Sequence, residues 1–150
     1  MALKSLNVYH YFWMVSLVIL IIGFFYINSD AVLGVNVGDT YYVVAYLHLA
    51  VLLFIIYFLT SVGYWFVLKV LGKPMIHFLT IIHCVVMFGW FIVYGSVVFY
   101  SNVIVTTPFP LFDDYQYSNQ TLFFSILLIS FVAQPSFLLN ISIGIFRKKV

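Results

Sequence analysis

The sequence predicts an all-α integral membrane protein, a bundle of four transmembrane helices. Three observations carry that expectation. Of the 150 residues, 65% are hydrophobic and only 7% are charged, whereas a soluble domain is about a quarter charged. Four apolar runs are each long enough to cross roughly 30 Å of hydrocarbon, which takes about 20 residues. All Lys and Arg fall at one set of span ends and all Asp at the other. The alternating segments of about ten residues that mark a membrane β-barrel do not occur.

The first span covers approximately 9–28. Its apolar run is too long for the core of a cleaved signal peptide, and no small-residue cleavage site follows it, so it is expected to be retained. The second covers approximately 41–68 and the third approximately 75–99, with Pro74 expected in the first turn of the third, where a missing N–H does no harm. The fourth covers approximately 120–146, with Ser118 or Asn119 as its candidate N-cap. No internal repeat breaks residues 1–150, so one membrane domain is expected.

Lys4 precedes the first span, Lys69 and Lys73 separate the second from the third, and Arg147, Lys148 and Lys149 follow the fourth. Asp30, Asp39, Asp113 and Asp114 lie in the two other connections. The positive-inside rule counts only Lys and Arg. It places both ends of the chain on the cytoplasmic or matrix side. The formal charge of +2 gives no footing for nucleic acid, and a single cysteine, Cys84, cannot form an intramolecular disulfide.

Polar groups inside a membrane are costly, so each is a candidate functional residue, although they also tie helices together. His48 follows Asp39 by nine residues, about 13 Å along a helix. It reads either as a buried neutral imidazole bonded to a neighbouring helix or as a metal or haem ligand. On the third span His77 falls near the basic end. His83 shares a face with Thr80, Met87 and Trp90, while Gly89, Gly95 and Ser96 are small enough for close helix approach. On the fourth, Gln134 and Pro135 lie near the middle, and Pro135 is expected to kink the helix. Ser130 shares a face with Gln134, and Ser136, Asn140 and Gly144 share another. His83, Gln134 and Asn140 therefore read as a hydrogen-bonded seam or as a ligand path. The spans contain no Asp, Glu, Lys or Arg, which argues against an ion pump or proton-coupled transporter. No phosphate loop, Cys-x-x-Cys or His-Glu-x-x-His is present.

The stretch Asp39-Thr40-Tyr41-Tyr42-Val43-Val44-Ala45-Tyr46-Leu47-His48 resembles a helix start in subunit I of the haem-copper (cytochrome c or quinol) oxidases, which reads Asp-Thr-Tyr-Tyr-Val-Val-Ala-His-Phe-His. Ile76-His77-Phe78, Asp114-Tyr115 and the basic end Arg147-Lys148-Lys149-Val150 extend the likeness. The chain thus resembles the last four helices of a twelve-helix subunit. In that family the two motif histidines point to opposite sides of the helix. The first ligates the high-spin haem and the second the low-spin haem. Here they are Tyr46 and His48, and Asp39 matches an aspartate near the family's magnesium site, with Gly38 in place of the preceding histidine.

The departures shape what the resemblance implies. The copper ligands and the second low-spin haem ligand lie in family helices outside the resembled stretch. The arginine pair that holds the haem propionates is matched by Pro110 and Leu111. The resemblance therefore implies a protein that is not an enzyme on its own. It is expected to be a structural or accessory chain that associates with itself or with respiratory-chain subunits, in the bacterial plasma membrane or the mitochondrial inner membrane. The Asp39-Thr40-Tyr41-Tyr42 segment would serve as a helix cap and loop anchor. The alternative is a low-spin haem electron carrier with His48 as axial ligand, completed by a partner subunit or paired with a second His48 across a twofold dimer. Haem is the one candidate cofactor.

Overall fold

The computed structural model describes residues 8–28, 32–37, 39–100 and 114–146. Four of its helices are long and apolar enough to cross a membrane: Val8–Phe25, Tyr46–Val70, His77–Val97 and Gln120–Phe146. The chain is an all-α, multi-pass membrane protein. In chain order the elements are α1 (Val8–Phe25), β1 (Val32–Val37), β2 (Thr40–Ala45), α2 (Tyr46–Trp65), α3 (His77–Phe99), α4 (Asp114–Leu128) and α5 (Gln134–Phe146). A π-helical turn, Phe66–Val70, extends α2, and another, Ile129–Ala133, joins α4 to α5.

Two compact units divide the chain. The first comprises Met1–Leu33, Val44–Ile76 and Ile141–Val150. Here α1 packs along α2. The buried stripe of α1 is Tyr9, Phe12, Ser16, Ile19 and Gly23, a three-four spacing that keeps one face of a helix on its neighbour. Phe12 packs against Tyr57 and Tyr64 with ring centroids 5.8 and 5.7 Å away. The Ser61 hydroxyl donates to the Tyr9 carbonyl at 2.5 Å. Further along the pair, a Cβ on Gly23 would lie 2.7 Å from that of Ala50, so the backbones approach as only glycine permits. The end of α1 tightens, with Tyr26 N–H bonding the Gly23 carbonyl and Ile27 N–H that of Phe24.

The second unit comprises Gly34–Val43 and His77–Asn140, with α3 packed along α4 and the π turn that follows it. Pro135 has no N–H, so the Phe131 carbonyl four residues back loses its α-helical donor. The helix responds by widening over Ile129–Ala133, where Gln134 N–H reaches back five residues to the Ile129 carbonyl. Local π adjustment of this kind lets a membrane helix tolerate proline.

Four sequence expectations are corrected. The second helix starts at Tyr46, not near Tyr41, because Thr40–Ala45 pairs with Val32–Val37 as a hairpin. Residues 38–39 join the strands, and Gly38-Asp39 is the kind of pair that two-residue hairpin loops favour. A side chain on Gly34 would overlap the Tyr41 hydroxyl, so the tyrosine ring lies across the glycine and would have to shift for any larger residue. The N-cap of α2 is Ala45, with no side-chain cap bond, so the Asp39 segment caps no helix. Pro74 lies in the connection before α3, which begins at His77. With Gly72 at φ 60° it ends the preceding helix instead, glycine taking the left-handed position and proline following it. Ser118 and Asn119 lie inside α4, whose ladder begins at Asp114. Helical hydrogen bonding can continue past the apolar stretch, so the edge of apolarity does not mark the helix start.

Candidate functional site

The polar residues of the third and fourth spans meet inside the second unit. On α3, Thr80, His83, Met87 and Trp90 recur at the three-four spacing of one helix face. On α5, Gln134, Phe137 and Asn140 do the same. Running antiparallel, the two sets pair rung by rung. The Asn140 amide Nδ2 donates to Thr80 Oγ1 at 2.8 Å. The His83 imidazole stacks on the Phe137 ring, with centroids 5.1 Å apart and planes at 23°. The Gln134 amide Nε2 donates to Met87 Sδ at 3.8 Å. His83, Met87 and Asn140 are 0% exposed. The structure thus brings together three residues singled out from sequence, His83, Gln134 and Asn140, and adds Met87 and Thr80 as their partners.

The other hydroxyls settle locally. Ser125 Oγ donates to the Thr121 carbonyl, Ser136 Oγ to that of Ala133 and Ser96 Oγ to that of Ile92. Gly89 and Gly95 face open space: a Cβ on either would meet nothing within 4 Å. The close approach expected of them is therefore not made within the described residues.

A second polar group, in the first unit, was not foreseen. Ser16 and Ser61 are buried and hydrogen-bonded to the Trp13 and Tyr9 carbonyls. Thr60 Oγ1 and Trp13 Nε1 are buried and have no hydrogen-bond partner among the described residues. The available signal was Ser16 at heptad spacing from Tyr9 and Gly23, and the Thr60-Ser61 pair within the apolar run of the second span.

The motif residues lie elsewhere. Asp39 is exposed at the hairpin turn. His48 is the third residue of α2 and exposed, because the strand delays the helix start, and the 13 Å descent expected from Asp39 does not apply. His77 is exposed at the first position of α3. Among the described residues, no three His, Cys, Asp or Glu side chains gather as metal ligands. A low-spin haem in the family's manner needs a buried axial histidine facing a second one, and cations for its propionates. An exposed His48 at a helix end, on the side whose connections carry no Lys or Arg, does not fit that group within one chain.

The arrangement defines a class, a four-span membrane protein whose buried polar groups, among the described residues, are uncharged, with Asn140, His83 and Ser61 joining helix to helix. Compared with protein-family models, with curated proteins and with solved structures, the chain matches none.

Proposed function

We propose that this chain is a non-catalytic membrane protein related to oxidase subunit I that acts by association, with a second copy or with respiratory-complex subunits. The observation that carries the reading is how the seam residues are used. Asn140 and Gln134 of α5 are engaged by Thr80 and Met87 of α3, and His83 of α3 by Phe137 of α5, as expected of residues that hold helices together. Its membrane would be the bacterial plasma membrane or the mitochondrial inner membrane, with the basic span ends on the cytoplasmic or matrix side.

The purified protein is expected to be colourless in the visible range and to consume no oxygen with reduced cytochrome c or quinol. His48→Gln should fold and associate like wild type. A haem band in wild type, lost in both His48→Gln and His48→Ala, would sink the reading in favour of a haem carrier built between two chains.

Orientation has its own test. In a Cys84→Ser background, a cysteine at exposed Asp39 should react with an impermeant thiol reagent added from outside. One at exposed Lys69 should react only after the membrane is opened. The reverse pattern would invert the topology.

A further inference from the structure

We infer that the basic end of the first unit holds an anionic phospholipid, with its phosphate on Lys73 and an acyl chain in the recess beside it. The recess is open, has a volume of about 630 Å³ and is lined by Ile76, Ser142, Ile143 and Phe146. Its walls are almost wholly apolar and suit a hydrocarbon chain. A fixed cation lies close by in the chain: Lys73, three residues before Ile76, donates its ammonium to the carbonyl of Ile145, between the lining residues Ile143 and Phe146. Ile145 is among the last residues of α5, whose carbonyls have no donor within the helix. A cation there also suits the negative end of the helix dipole.

That hydrogen bond uses one of three ammonium protons. The others remain for a phosphate oxygen. Packing holds the place together: a Cβ on Gly144 would meet Val67 Cγ1 at 3.0 Å, so the end of α5 is seated closely on the end of α2.

Charge selects the headgroup. Lys69 is exposed in the π turn four residues before Lys73, and Arg147, Lys148 and Lys149 follow Phe146 directly in the sequence. In the sequence all four acids lie in or beside the other connections. Basic pockets between membrane helices bind anionic headgroups, and each Lys or Arg near an anionic surface is worth about fivefold in affinity. The apolar recess selects a lipid over free phosphate, and the cations select an anionic lipid over a zwitterionic one.

The test uses the full chain in detergent, titrated with phosphatidylglycerol, phosphatidylcholine or inorganic phosphate, with bound lipid counted by native mass spectrometry. One phosphatidylglycerol should be retained in preference to phosphatidylcholine. Lys73→Gln should weaken it by roughly fivefold, while Lys73→Arg, which keeps the charge, should not. Ile143→Trp, which fills the recess and leaves every charge, should also expel the lipid. Circular dichroism confirms that each variant is folded. Equal retention of the two lipids, equal losses in Lys73→Arg and Lys73→Gln, or competition by millimolar inorganic phosphate would each overturn the assignment.

Discussion

Gly23→Val is expected to destabilise the protein by about 1–3 kcal/mol, the usual cost of overpacking. The side chain would meet the Cβ of Ala50 at 2.7 Å. A Cβ is fixed to its backbone, so the clash can be relieved only by moving α1 away from α2. That shift would strain the Phe12 contacts with Tyr57 and Tyr64 and the Ser61 bond to Tyr9, which lie along the same interface. The measurement is unfolding in mixed micelles of increasing denaturing detergent. Gly89→Ala is the control: its Cβ would meet nothing within 4 Å, and alanine gains up to about 1 kcal/mol over glycine in a helix. Gly89→Ala should therefore be neutral or stabilising. Equal losses from the two substitutions would show that the α1–α2 approach is not what Gly23 serves.

The second large effect is expected at His83. Its ring is wholly buried and stacked on Phe137, so His83→Ala should leave a cavity. Deleting a buried aromatic ring in a soluble core costs about 3–5 kcal/mol. Between membrane helices the value should sit at or below the lower end, because lipid is as apolar as the protein and only packing is lost. His83→Phe keeps the volume and the stacking partner. It should restore most of the stability if the imidazole serves packing. His83→Phe as damaging as His83→Ala would show that the ring nitrogens matter and that His83 does more than fill space. The same micelle unfolding measurement, with association followed by size-exclusion chromatography, separates the outcomes.

The seam was legible in sequence because its residues repeat at helical spacing within apolar runs. His83 with Thr80, Met87 and Trp90 on one helix, and Gln134 and Asn140 on the other, could be placed on faces before any coordinates. Their pairing could not, because spacing fixes a face and not which residue it meets. The hairpin was missed for a different reason. Thr40-Tyr41-Tyr42-Val43-Val44 is rich in β-branched and aromatic residues, which favour strands. The run is equally apolar, though, and hydropathy cannot tell a strand from the first turns of a membrane helix. The likeness to an oxidase helix reinforced the helical reading, and with it the depth assigned to His48.

Sequence by itself determined the solvent and the number of crossings. With 7% charge and four apolar runs, only lipid can face so much hydrocarbon surface, and the backbone of each run must satisfy its own hydrogen bonds as a helix. Tertiary structure alone decided where those helices begin and how their polar residues are used. A hydrogen-bonded partner strand turned Thr40–Ala45 from helix to hairpin and left His48 exposed in the first turn of α2. The antiparallel register of α3 on α5 set Asn140 against Thr80 and His83 against Phe137. The hairpin pairs adjacent segments, but hydropathy does not distinguish its strand from a helix start; the α3–α5 register depends on segments far apart in the chain, and local composition carries no record of which distant partner a residue will find.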